Sequence, residues 1–421
     1  MHPSPGSTPS RTLLTLLGQF PLDFAGGAAR SLDTINRMLV RQGWRAISLG
    51  TTATDHAEGI DLHATLAAYG VKPTVDAAGH RRRAVFRFTL AGVEYIILDT
   101  GKLRSSEWAE EHGAQFDALL NDVLAKERPA VVHTFGCSPE EMARQALCRA
   151  AGAAVVLGVR NHSYYDKRAF EHTDAVLTCS KFLSDCYRER VGIESTPLPL
   201  PMEPEHVVAD RREPVFVTMI NPTPDKGVVF FARLAEELAS RRPDIPMLVV
   251  ESRGTAGSLA SAGMAGESGF DLRRHESIMI SPGVPRPREI FAVTRVLVVP
   301  SLWPEPAGRV IVEAMMNGVP PIVSDRGGMG EVIGLDPSAP ESAGGFLLPI
   351  PASITPETRV PPEASVVAPW VSLIERLCDD EAFYQQASAR ARARAAAFDP
   401  EAVAPTFAEF FAGVKHRRHD A

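Results

Sequence analysis

The sequence predicts an α/β protein with two parallel-sheet domains. Three observations carry this. At 421 residues the chain is too long for one ordinary core. Short apolar strand-like runs alternate with helix-period segments through both halves, the pattern of parallel βαβ units. Four prolines within residues 197–204 (PLPLPMEP) form a stiff, extended stretch between the halves. The expected divisions are a disordered Pro/Ser-rich tail at 1–10, a Rossmann-like domain at 11–196 and a linker at 197–204. A second Rossmann-like domain at 205–397 and a terminal helix at 398–421 follow.

The first half opens on TLLTLLGQF. Its apolar core, Leu13 to Leu17, is too short for a signal peptide and lacks a small-residue cleavage site, so it reads as the first buried strand. The pair Gly26-Gly27 follows, then a helix with Leu32, Ile35, Met38 and Leu39 at helical spacing. Gly43 ends it, and residues 44–49 form a second strand. Residues 84–98 alternate as a hairpin turning at Ala91-Gly92. Short buried strands are expected at 130–133, 154–159 and 175–178, with Ser180 capping a helix from Lys181. In the second half strands are expected at 215–220, 247–250, 277–280, 296–299 and 321–324. Residues 336–365 read as a loop-rich excursion. Helices are expected from Ala368 to Cys378, from Glu381 to about Ala397, and from Pro405 to Val414 with Phe407, Phe410 and Phe411 on its apolar side. The run ARARARAAA at 389–397 reads as a solvated helical face.

A charged fraction of 23% beside 45% hydrophobic residues fits a soluble globular protein. A net charge of −7 disfavours general nucleic-acid binding. A local basic cluster, Arg81-Arg82-Arg83, could touch anionic lipid in a peripheral membrane contact, although a solvated hairpin end is the simpler reading. The five cysteines include no CxxC pair, which fits a reducing, cytoplasmic setting. No run approaches the ~18 apolar residues of a membrane span. No His/Asp/Glu cluster has metal-ligand spacing.

The most informative stretch is PSLWPEPAGRVIVEAMMNGVP. An apolar strand leads through a Pro/Trp-rich turn into a helix expected from about Ala307 to Asn317, stopped by Gly318 with Pro320 beyond. Glu305 falls at the helix mouth, and Glu313 lies eight residues on. The first N–H groups of a helix lack intrahelical partners and carry partial positive charge. Pro306-Ala307-Gly308 allows a ligand close to that backbone. An anion cradle flanked by two carboxylates suits a nucleotide sugar, which has phosphates and two sets of hydroxyls. Lys226, in the turn NPTPDKG after another buried strand, could meet charge developing on a leaving diphosphate.

Together, Gly26-Gly27, Lys226-Gly227, the E-x7-E pair Glu305/Glu313, AMMNG and SDRGGMGE resemble the family-4 retaining glycosyltransferases. The resemblance spans nearly the whole chain, strongest at 300–331 and weakest at about 50–125. It implies the GT-B fold, two Rossmann-like domains facing across a cleft, with the last helix returning to the first domain. It further implies that Glu305 contacts donor-sugar hydroxyls, Glu313 the ribose, and the backbone at Pro306, Ala307 and Gly308 the diphosphate. Gly26 and Gly27 would face the phosphates and acceptor, and Asp325 with Gly327-Gly328 to Glu331 would line the nucleotide pocket. The active-site histidine is either His162 or His133, with Arg160 at the same rim.

One position departs from the pattern. The family places an arginine five residues before the lysine, where this chain has Asn221; Arg253 or Arg309 could substitute. The implied activity is transfer of a hexose from a nucleotide diphosphate sugar, UDP favoured and GDP possible, with retention and without metal or other cofactor. The acceptor could be a small molecule, glycan, lipid-linked or peptide hydroxyl. The alternatives are a sugar-nucleotide hydrolase or epimerase of the same fold, and a non-catalytic nucleotide-sugar-binding protein.

Overall fold

The structure is a computed structural model describing residues 11–23, 27–54, 60–76, 83–101, 103–104, 107–252, 254–266, 269–283 and 286–416. The 1–10 tail, Gly26, Arg81, Arg82 and Arg253 lie outside the described residues. The chain divides into two compact units. The first holds the chain up to Cys179, Ser184–Pro201 and the segment from Pro400 on; the second holds Ser180–Leu183 and Met202–Asp399.

In the first unit the described residues form strands β1 (Thr12–Leu16), β2 (Arg45–Thr51), β3 (Thr74–Asp76), β4 (Val85–Leu90), β5 (Val93–Leu98), β6 (Val131–Thr134), β7 (Ala154–Val159), β8 (Ala175–Thr178) and β9 (Thr196–Pro197). They lie side by side in the order β3-β4-β5-β2-β1-β6-β7-β8-β9. The central β1 pairs in parallel with β2 and β6. All five of its residues are buried, as expected of a parallel strand covered on both faces. Its buried Thr15 hydroxyl donates to Asn36 Oδ1 at 2.6 Å, so the polar group carries no desolvation penalty. β3 and β4 are antiparallel additions at one edge. β3 was not expected: its residues, TVD, are all exposed and show no apolar signal.

The helix Pro400–Gly413 completes this unit. Phe407 and Phe411 are each 1% exposed, within a cluster that includes Leu13, Ile35, Leu39, Trp44 and Val131. Arg41 on the helix Gly27–Arg41 pairs with Glu401 at 2.8 Å.

In the second unit β10 (Phe216–Ile220), β11 (Met247–Val250), β12 (Ile278–Ser281), β13 (Thr294–Val299), β14 (Pro321–Ser324) and β15 (Phe346–Leu348) form a parallel sheet ordered β12-β11-β10-β13-β14-β15. Its main core packs the helix Val228–Arg241 against the helix Ala364–Asp379, where Phe230 meets Trp370 edge-on at 5.2 Å. β15 lies inside the stretch read as loop; glycines and prolines frame its three residues and mask it.

Helix starts also needed correction. The last two proline-marked helices begin before their prolines, with Pro369 and Pro405 each at the sixth position. The second of them opens on an earlier proline, Pro400, whose missing N–H costs nothing in a first turn. Of the arginines at 390–394, Arg392 is exposed, but Arg390 and Arg394 are half-buried and bound to backbone. Arg394 Nε and Nη2 donate to the carbonyls of Val332 and Glu331, both at 2.8 Å, and Arg390 Nε donates to Ala343 O at 3.2 Å. Arg394 thus adds donors to carbonyls at the end of the helix Met329–Val332, and Arg390 holds a carbonyl in the turn that follows it. Among the described residues no helix is long and apolar enough to cross a membrane.

Candidate functional site

The second sheet reverses its winding between β10 and β13. In open α/β sheets ligands bind beyond the carboxyl ends of the strands at such a reversal. The residues leaving β10 and β13 converge there on a cavity of about 220 Å³, lined by Ile220, Asn221, Lys226, Glu305, Gly308 and Arg309 among others.

The turn after β10 begins at Asn221, whose φ of 63° is left-handed, a conformation that asparagine tolerates better than most residues. Its N–H donates to Val250 O at 2.8 Å, and its Oδ1 accepts from Gly254 N at 2.7 Å. Where the resemblance expects an arginine, this side chain ties down a neighbouring loop. Asn221→Ala should cost about 2 kcal/mol through the lost hydrogen bond and the unfavourable φ. Asn221→Gly should cost less; urea denaturation of the two variants checks the order.

The turn closes at Gly227, φ 81°, which precedes the helix Val228–Arg241. A Cβ there would stand 1.9 Å from the Pro300 carbonyl oxygen, so the turns after β10 and β13 meet backbone to backbone. The N–H groups of Leu302 and Trp303 then donate to Asp225 O at 2.9 and 3.1 Å. This contact brings Lys226 Nζ onto Glu305 Oε1 in an ion pair. Ser301 Oγ lies 3.0 Å from the same carboxylate oxygen. Glu305 is 8% exposed, so the lysine and the serine together offset the cost of burying its charge.

The backbone of Glu305 is held from a third side. It bridges to Gly327, and its carbonyl accepts from Gly328 N at 2.7 Å. Gly327, φ 75°, admits no side chain, because a Cβ would lie 2.4 Å from Glu305 O. The glycine pair read as a nucleotide-pocket loop therefore supports the motif glutamate. Asp325 Oδ1 accepts from Ile350 N at 3.2 Å and so anchors the chain after β15.

The motif helix is Arg309–Met316, two residues later than expected, because Gly308 adopts φ 74° as its N-cap. Its first residues, with Gly308, line the cavity. Arg309 Nε donates to Glu313 Oε1 at 3.0 Å, one helical turn on. Glu313, 6% exposed, thus braces the arginine that reaches the cavity. Pro306 and Ala307 lead into this turn, and Ala307 is buried. Among the described residues no group of three or more His, Cys, Asp or Glu side chains is placed to hold a metal ion.

Residues 204–339, which contain every element of this cavity, match the family model described as Glycosyl transferases group 1. The chain is a glycosyltransferase. Three solved structures share its fold. A glycosyltransferase from Rickettsia africae is 14% identical at a TM-score of 0.68, covering 97% of this chain and 99% of that one. Sucrose-phosphate synthase from Thermosynechococcus elongatus is 16% identical at 0.65, covering 95% and 98%. HepE from Anabaena, in complex with UDP and glucose, is 15% identical at 0.62, covering 95% and 99%. The fold is therefore GT-B, two parallel-sheet α/β domains. No curated protein matches the sequence significantly.

The remaining expected site residues of this glycosyltransferase lie in its first unit. Gly27 opens the helix Gly27–Arg41, and a Cβ there would meet nothing within 4 Å, so packing does not require glycine. His162 is half-buried after β7, its Nδ1 2.5 Å from the Tyr165 hydroxyl. The Tyr187 hydroxyl donates to the neighbouring Asn161 carbonyl at 2.9 Å and steadies this loop. Arg160 precedes it, also half-buried.

His133 is a correction. It belongs to the interior and not to a rim: 0% exposed on β6, it packs its ring 5.3 Å from Phe411 with a nitrogen against Gly158. Burial, with Arg160 nearby, pushes its pKa down to about 3. The unfolded chain would protonate His133 near the ordinary value of 6.5, so its neutral burial favours folding fully only above that value. Stability should fall as pH drops from 6.5 towards 3, by up to ~1.4 kcal/mol per pH unit from this group. Denaturation of His133→Gln across that range should show a shallower acid slope than the wild type.

Ser301 is the site residue that sequence reading missed. The available signal was a hydroxyl directly beyond an apolar parallel strand, four residues before the motif glutamate.

Proposed function

We propose that this glycosyltransferase moves a hexose from a nucleotide diphosphate sugar, with UDP as the favoured nucleotide, to an acceptor hydroxyl with retention of anomeric configuration. The observation that carries the reading is the meeting of Lys226 and Glu305, 79 residues apart, at the reversal point of the second sheet. Lys226 offers a compact cation for the charge that develops on a departing diphosphate. The N-terminal turn of the motif helix adds N–H groups to the same region, as helix termini do for anions generally. Arg309 supplies a second cation at the cavity wall, in place of the arginine that Asn221 replaces. Glu305 accepts hydrogen bonds from the donor sugar, and attack occurs on the face that the diphosphate leaves, with the diphosphate taking the acceptor proton.

The reaction as proposed uses no resident metal or organic cofactor. Five free cysteines suit a reducing compartment, and we place the activity in the cytoplasm. The test is nucleotide release from UDP-, GDP- and ADP-sugars, with and without candidate acceptors, followed by anomeric analysis of the product by NMR. Acceptor-dependent release with a retained linkage is expected. Full-rate release without any acceptor would make the protein a hydrolase; tight donor binding without release in any combination would make it a binding module.

A further inference from the structure

We infer that Ser301 is a positioning residue that divides the work of Glu305 between its two carboxylate oxygens, an assignment that rests on the donor reading above. Ser301 is 0% exposed in the turn that follows β13. Its hydroxyl has one proton and three acceptors in reach: Glu305 Oε1 at 3.0 Å, Asp225 O at 3.1 Å and Trp303 O at 3.3 Å. A carbonyl oxygen has two lone pairs. Those of Asp225 are already met by the N–H groups of Leu302 and Trp303. Trp303 O is the farthest of the three and uncharged. Hydrogen bonds to an ionised acceptor are roughly twice as strong as neutral ones. The Ser301 proton therefore belongs on Glu305 Oε1.

That oxygen then receives two donors, the Ser301 hydroxyl and the Lys226 ammonium. The other oxygen, Oε2, has no hydrogen-bond partner among the described residues. An oxygen held in this way can accept from a ligand without breaking an internal bond, and the group it accepts from must be a hydrogen-bond donor such as a sugar hydroxyl. Ser301 is itself fixed, because the Ser324 hydroxyl donates to its carbonyl at 2.6 Å and Ser324 is 0% exposed. The relay from β14 through Ser301 sets which way the Glu305 carboxylate faces.

The experiment uses the full chain, calorimetric binding of UDP and of UDP-glucose, and UDP release from UDP-glucose. In Ser301→Ala, UDP affinity should stay within twofold of wild type, since on the donor reading Glu305 meets the sugar and not the nucleotide. The kcat for UDP-glucose should fall about tenfold, with KM moved less than threefold. Ser301→Cys, similar in volume and a weaker donor, should lie between Ser301→Ala and wild type, and it carries the test if Ser301→Ala does not fold. A wild-type kcat in Ser301→Ala would overturn the assignment. So would equal losses for UDP and UDP-glucose, which mark a collapsed turn and not a misdirected carboxylate. If wild-type protein binds UDP but not UDP-glucose, the donor reading fails first and this assignment falls with it.

Discussion

Lys226→Met should lower turnover of the nucleotide-sugar donor at least ~100-fold, the usual consequence of losing an electrostatic contact made to charge developing in the transition state. Glu305→Gln should show a loss of similar size. The two losses should not multiply, because the residues form one ion pair. Stability separates this from general damage. Lys226→Met leaves Glu305, 8% exposed, without its counter-charge. The cost of breaking a fully buried pair is about 3–5 kcal/mol. The lysine side chain keeps 29% of its surface in solvent, so screening reduces the expected cost to about 1–2 kcal/mol. In the double variant the orphaned charge is gone, and stability should return close to wild type while activity stays lost. Urea denaturation of the four proteins closes this cycle. A double variant less stable than either single one would show that the pair is not the unit described here.

Gly227→Ala should have the largest effect on stability. The residue sits at φ 81°, where an L side chain costs ~1–2 kcal/mol, and its Cβ would stand 1.9 Å from the Pro300 carbonyl oxygen. Neither atom belongs to a flexible side chain, so relief requires the turns after β10 and β13 to separate. The total should exceed ~3 kcal/mol. For a unit of this size that lowers the melting temperature by about 10 °C. Activity should be lost below the melting transition as well, because the same separation parts Lys226 from Glu305. Gly27 provides the control. A Cβ there meets nothing within 4 Å, and calorimetry of Gly27→Ala should show an unchanged melting temperature.

Much of this arrangement is legible in the sequence because the signals are local. The continuous apolar run of β1, the alternation of the β4–β5 hairpin and the turn NPTPDKG each carry their own pattern. Lys226 and Glu305 could be chosen as site residues from such patterns, but not joined to each other, because the joint is made by Gly227 against Pro300, 73 residues away. His133 shows the opposite limit. A histidine near the end of a parallel strand reads like a rim residue, and only the last helix, 278 residues later at Phe411, places it inside. Arg390 and Arg394 could not be told from the exposed Arg392, because their partners are main-chain carbonyls that have no sequence signature. Two helices start earlier than their sequence suggests, at Ala364 and Pro400, because Pro369 and Pro405 sit inside them and interrupt the pattern.

The helix Pro400–Gly413 has a consequence for how the protein is made. Chains emerge from the ribosome amino end first, and domains generally fold as units during synthesis. The first unit of this protein cannot close its core in that order. Leu39, Trp44 and Val131 all emerge before any residue of the second unit, yet the side chains that cover them, Phe407 and Phe411, are made after the whole of it. Between those moments the early half carries an uncovered apolar seam. The second unit, continuous apart from four residues, needs nothing made after Asp399 to bury its own core. The order of completion is therefore the reverse of the order of synthesis, with the amino-terminal half finished last by the carboxyl-terminal helix.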